Sequence, residues 1–120
     1  MSKAEEYLAL ARSHLARAEE KPEDADNVFV WSFWGLENAV KAAASHAGVN
    51  VIKQHWSTGQ AARKLAKAHG LSDVSDLLSD LNDGRKSTAY GDTDEPDREP
   101  KEILAGFREF IEEVAGFLKA

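Results

Sequence analysis

The run from about Asp26 to Ala47 constrains this chain most, because its first half leaves no side for water. It opens Val28-Phe29-Val30-Trp31-Ser32-Phe33-Trp34, a density of β-branched and aromatic residues that by itself suits a strand. The apolar character continues through Leu36, Val40, Ala43 and Ala44 and stops only at Gly48. That continuity predicts a long central helix. A helix apolar all round must be enclosed on every side, by its own domain or by a partner surface.

The flanking sequence supplies the enclosure as four more helices. Leu8, Ala11, Leu15 and Ala18 recur at helical steps, with Ser2 as a cap, which predicts a first helix over about 3–20. Lys21-Pro22 stops it, since proline disfavours helical geometry in the residue before it. Val49 to Trp56 reads as a loop. Ser57-Thr58-Gly59-Gln60 then fits a capping box opening a third helix over about 58–69. Ser72 reads as the cap of a fourth helix, striped by Val74, Leu77, Leu78 and Leu81 and running through Arg85 to about Ala89. Residues 91–100 form an acidic, proline-bearing loop with nothing apolar to anchor it, the expected site of greatest internal mobility. A last helix over about 98–118 carries Ile103, Phe107, Phe110, Ile111 and Val114, and tolerates Pro100 only in its first turn. The expected fold is all-α, one domain over residues 1–120, an antiparallel bundle of four to five helices.

Composition removes several classes of function. Hydrophobic residues at 42% and charged residues at 30% exclude a disordered or fibrous chain. With no cysteine there is no disulfide scaffold, thiolate metal site or thiol nucleophile. His14, His46, His55 and His69 show no paired ligand spacing, and no glycine-rich loop cradles a triphosphate, so neither metal nor cofactor is expected. The apolar run Val28 to Leu36 is too short to span a membrane, and the acidic N-terminus is unlike a signal peptide. The chain is read as soluble and cytoplasmic.

Its charge, −6 overall, is unevenly spread. From Asn38 to Ser72 there is no Asp or Glu, while Lys41, Lys53, Arg63, Lys64 and Lys67 fall there with three histidines. An acidic protein does not coat DNA non-specifically. A local basic face on it can take a phosphate, an RNA segment or an acidic partner, or can simply be a solvated flank paired with nearby acids.

Three features remain as candidates. Trp31, Phe33 and Trp34 carry more aromatic surface than a small bundle should enclose, which points to a homodimer. Glu37 and Lys41 stand four residues apart in the apolar helix, either an ordinary ion pair or polar groups beside a cleft. Asn82, Arg85, Lys86, Ser87 and Tyr90 cluster where the fourth helix loses its apolar stripe. An arginine there can fork onto phosphate and a tyrosine can stack on a base.

At these residues the chain resembles the HEPN superfamily of small helical nucleotide-binding bundles. Trp34-Gly35-Leu36-Glu37-Asn38-Ala39-Val40-Lys41-Ala42, His55-Trp56-Ser57 and Arg85-Lys86-Ser87-Thr88-Ala89-Tyr90-Gly91 carry the resemblance, and the last is the most specific. Ribonuclease members hold the phosphate with an arginine and move the proton with a histidine four to six residues later, without metal, at a dimer cleft. The resemblance places Arg85 at the arginine and Lys86 at the polar residue after it, but Tyr90 stands where the histidine belongs. A phenol with a pKa near ~10 is almost wholly protonated at neutral pH, and lowering it by about three units needs about 4 kcal/mol. The nuclease centre is therefore read as degenerate.

The resulting expectation is a non-catalytic homodimer that binds a nucleotide, RNA or a partner protein through an Arg85–Tyr90 cleft, with Asn82, Lys86, Ser87, Glu37, Lys41 and His55 contributing. The resemblance further implies a toxin–antitoxin or phage-defence setting and a partner such as a nucleotidyltransferase. Two alternatives stand beside it: an active metal-independent ribonuclease using Arg85 with Tyr90 or His55, and a purely structural interaction module.

Overall fold

The computed structural model describes the backbone of residues 2–90 and 98–120 and the side chains of residues 2–86 and 98–120. Most of the expected mobile loop, residues 91–97, lies outside these. Five helices follow in order: α1 (Lys3–Glu20), α2 (Ala25–Ala47), α3 (His55–His69), α4 (Ser75–Tyr90) and α5 (Pro100–Lys119). There is no strand among the described residues.

Local chemistry fixes most helix ends. Ser2 opens α1 with a full capping box: its hydroxyl accepts from the Glu5 N–H, and the Glu5 carboxylate accepts from the Ser2 N–H, both at 3.1 Å. Asp24 caps α2 through the Asn27 N–H at 3.2 Å. The Asn27 amide reaches back to the carbonyls of Arg17 and Ala18, closing the end of α1. Gly48 and Gly70 end α2 and α3 with φ of 74° and 73°, left-handed geometry that glycine adopts without steric cost. Pro100 occupies the first turn of α5, where no intrahelical donor is lost.

Two helix starts differ from expectation. Helix α3 begins at His55, because the Ser57 hydroxyl accepts from the Ile52 N–H at 3.1 Å and so is not free to cap Gln60. Gln54 at the cap position offers no side-chain bond. Helix α4 begins at Ser75, because Glu113 of α5 takes both the N–H and the hydroxyl of Ser72, at 2.8 and 2.7 Å. Asp73 does the capping work instead, accepting from the Ser75 N–H at 3.0 Å. The Ser75 hydroxyl and N–H, with Arg63 adding a smaller attraction, hold the Asp73 carboxyl below its usual range.

Helix α2 packs against all four other helices. Val28, Phe29, Phe33, Leu36 and Val40 are each at most 1% exposed, so the bundle encloses most of its central aromatic run without a second copy. Trp31 is half-buried, its ring stacked on His14 at 5.6 Å and met by the Arg17 guanidinium at 5.2 Å. Only Trp34 of that run is exposed.

Close approach depends on two glycines. At Gly35 of α2 a Cβ would overlap the Phe107 ring of α5 and come within 2.9 Å of the His14 Cβ. At Gly84 of α4 it would meet the Phe29 ring at 2.8 Å. Gly116 of α5 meets nothing within 4 Å.

Gly35→Ala is therefore expected to lower stability by about 1–3 kcal/mol through overpacking, although alanine is the better helix former. Gly116→Ala should raise stability by up to about 1 kcal/mol. Urea unfolding of both variants checks the pair, and equal effects would contradict this packing.

Burial, with Arg17 adding repulsion, pushes the His14 pKa below its ordinary value of 6.5. The ring is harder to charge in the folded state, so the unfolded chain takes up the proton first. Its contribution is present in full above about pH 6.5 and is lost as pH falls through that value toward the lower folded pKa. An NMR titration placing the His14 midpoint at or above 6.5 would contradict this.

Candidate functional site

The charged side chains at the α2–α3–α4 junction are organised by two rings. Phe33 and Trp34 lie edge to face with centroids 5.2 Å apart. The Arg85 guanidinium from α4 sits over both, 5.0 Å from the Phe33 ring and 5.3 Å from the Trp34 ring. His55, the first residue of α3, packs edge-on to the same two rings at 5.1 and 5.9 Å. Arginine and histidine therefore share one aromatic platform, and neither can be further from the other than the two ring distances combined.

Each has a polar partner. Glu37, one turn along α2 from Phe33, is 3% exposed, and its Oε2 lies 2.9 Å from His55 Nδ1. A buried carboxylate is costly unless paired, and this imidazole pairs it. The carboxylate only accepts, so the proton between them belongs on Nδ1, leaving Nε2 of the neutral ring as an acceptor. Asn82, one turn before Arg85, takes the Arg85 Nη2 donor on Oδ1 at 2.8 Å. Arg85 Nε is buried without a hydrogen-bond partner. An unmet buried donor costs about 1–3 kcal/mol, a penalty that an approaching oxyanion relieves.

Glu37 and His55 line two open clefts, one on either side of their pair. A cleft of about 340 Å³ is edged by Trp56, Gln60, Arg63, Ser79 and Asn82. A second of about 270 Å³ is edged by Trp34, Lys41, Ile52, Lys53 and Gln54. The uncapped start of α3, with no acid in its first turn, borders the second. Such a helix end favours an anion.

Of the residues singled out in the sequence, Asn82, Glu37, Lys41 and His55 line these clefts. Arg85 lies beside them, folded over the aromatic platform rather than standing free at a surface. Lys86 is half-exposed on α4, and the side chains of Ser87 and Tyr90 lie outside the described residues, so the cleft expected between Arg85 and Tyr90 does too. The Glu37–Lys41 ion pair does not form, because Glu37 turns to His55. Trp56, Gln60 and Arg63 escaped the sequence reading as site residues. Trp56 is 59% exposed at the second position of α3, which the sequence reads as the end of a loop, and its place in the His55-Trp56-Ser57 stretch is the signal that could have found it.

Among the described residues no group of three or more histidine or carboxylate side chains converges as a metal site, and no helix is long and apolar enough to cross a membrane. Four helices around a buried α2, with an arginine and a Glu–His pair on one aromatic platform, define a small helical domain. The HEPN domain family matches residues 1–117, and the chain belongs to that family. Comparison with curated proteins found no match, and comparison with solved structures found none. Membership is consistent with a nucleotide- or RNA-related module.

The Glu37 contact predicts that neutral His55 carries its proton on Nδ1, against the Nε2–H form a free imidazole prefers. In Glu37→Ala the ring should revert toward the Nε2–H form. Long-range ¹H–¹⁵N NMR reads the tautomer directly, and an Nε2–H ring in the unaltered protein would contradict the pairing.

Proposed function

We propose that this chain binds the phosphates and bases of RNA, or of a nucleotide, on the α2–α3–α4 face and does not cleave them. The observation that carries this is the shared platform: Arg85 and His55 both rest on Phe33 and Trp34, beside a cleft holding Arg63 and the exposed Trp56. Guanidinium groups meet phosphate oxygens, and an exposed indole offers a base a stacking surface. Two copies meeting at the α2–α4 edge, where Trp34 stays exposed, bring both Arg85 groups toward one shared cleft. The non-catalytic reading rests on Tyr90, whose phenol is a poor base at neutral pH.

The Glu37–His55 pair favours a second reading, a metal-independent ribonuclease in which His55 Nε2 takes the proton of the ribose 2′-hydroxyl and Arg85 steadies the phosphate. Loss of a general base typically costs two to four decades in rate, roughly 10²–10⁴-fold, so the two readings separate clearly.

Labelled single-stranded RNA in the presence of chelator tests both. The expected result is binding that weakens with salt, no strand scission, and a loss of about tenfold or more in affinity for Trp56→Ala. Binding untouched by Trp56→Ala and Arg63→Gln contradicts the proposed face. Robust cleavage that disappears in His55→Gln and in Arg85→Gln establishes the ribonuclease. Light scattering should give a particle of twice the 13.2 kDa chain mass, and a 13.2 kDa particle removes the shared cleft.

A further inference from the structure

A third hollow, of about 340 Å³, lies between the start of α1, the second half of α2 and the α2–α3 loop. Lys3, Lys41 and Lys53 converge on it, with Tyr7 and Ser45 supplying hydroxyl groups. Lys3 Nζ stands 5.9 Å from the Tyr7 ring centroid. No Asp or Glu lines the hollow, and none of the three ion pairs among the described residues engages any of these lysines. Three lysines around one hollow with no acid in its lining create a local positive field on a chain of net charge −6.

The hollow is continuous with the site already described. Lys41, Ile52 and Lys53 line both it and the cleft that contains Glu37 and His55. His55 and Glu37 in turn line the cleft with Arg63 and Trp56. Cations therefore follow one another across three adjoining depressions, from Lys3 through Lys41 and Lys53 to Arg63, with the His55 ring between the last two. Exposed Trp34 and Trp56 stand along the way, at 36% and 59% exposure. Charge tracking a backbone, interleaved with rings that accept bases, is the physical pattern of a single-stranded nucleic-acid path.

Resting on the RNA-binding reading above, the geometry points to the Lys3–Lys41–Lys53 hollow as a second phosphate subsite on the same track, so that the ligand is a single strand of several nucleotides rather than a mononucleotide. A mononucleotide fills one depression and leaves the lysines of the others uncompensated. A strand neutralises them in series and gains with each phosphate.

The variant Lys3→Gln/Ser45→Glu tests this, since both residues are exposed and belong to the hollow but not to the His55 clefts. Circular dichroism melts establish that the fold is kept. Anisotropy titrations use a labelled diribonucleotide and a labelled oligouridylate of about ten residues. The expected result is a loss of about tenfold for the longer RNA, with a salt slope shallower by about 0.7 for the missing lysine, and no change for the short one. Equal affinity of the variant and the unaltered protein for the longer RNA overturns the subsite and leaves RNA binding at the His55 cleft standing. Binding of the longer RNA that depends on Lys3 but ignores Trp56→Ala and Arg63→Gln keeps the subsite and overturns the cleft reading. A polyglutamate of equal charge that competes as well as RNA marks the hollow as a peptide site and overturns the proposal.

Discussion

The enclosure of α2 is the constraint on which the rest of the bundle depends. Its apolar residues cannot face water, so α1, α3, α4 and α5 are each held against it. The fit is finer than hydrophobic contact alone. Phe107 reaches the α2 backbone only because position 35 has no side chain, and Phe29 reaches α4 only because position 84 has none. A missing methyl at each place admits a whole ring, so two of the largest core side chains, Phe29 and Phe107, are anchored by absence.

The same helix carries the one charged residue buried in the described chain, Glu37. A carboxylate inside a bundle is tolerable when a donor comes to it, and His55 does so from α3. That requires α3 to begin earlier than its serine-containing start suggests. Were the helix to begin after Ser57, His55 would belong to a flexible connection and the carboxylate would lack its fixed partner. On the neighbouring helix, Arg85 gives up free movement for contact with two rings, each such contact being worth about 0.5–2 kcal/mol according to solvent access. The site and the core therefore share members: Phe33 is at once packing for α2 and a floor for the Arg85 guanidinium and the His55 ring.

Much of this was legible in the sequence, and what was missed has identifiable physical causes. Helices α1, α2 and α5 follow from periodicity, from Ser2, from the Pro22 region and from Pro100, because those signals act over a few residues. Local signals alone place the start of α3 three residues too late and that of α4 two too early. Ser57 and Ser72 both look like caps locally, yet each is claimed by a group elsewhere: Ile52 N–H in one case, Glu113 in the other. A side chain that can cap a helix can equally satisfy a distant donor or acceptor, and only the tertiary structure decides. The site shows the same division. The acid-free stretch from Asn38 to Ser72 exposed the basic face, and Arg85, Asn82, Glu37, Lys41 and His55 stood out by type. That Glu37 would choose His55 over Lys41, four residues away, required knowing that α3 starts on the ring platform. Trp56 and Arg63 joined the site only through the fold.

The Gly35 socket also bears on the order in which the protein can be completed. The residue that fills it, Phe107, lies in α5, separated from Gly35 by more than half the length of the chain and synthesised after all of that intervening segment. Until then the nascent bundle presents an open apolar seam along α2, together with a Ser72 that lacks its Glu113 clasp. Local turns can form early, but burial of that seam is a long-range event with a high loop-closure cost. During this interval the chain is most exposed to chaperones, to proteases and to copies of itself, and α5 is the element whose arrival ends it.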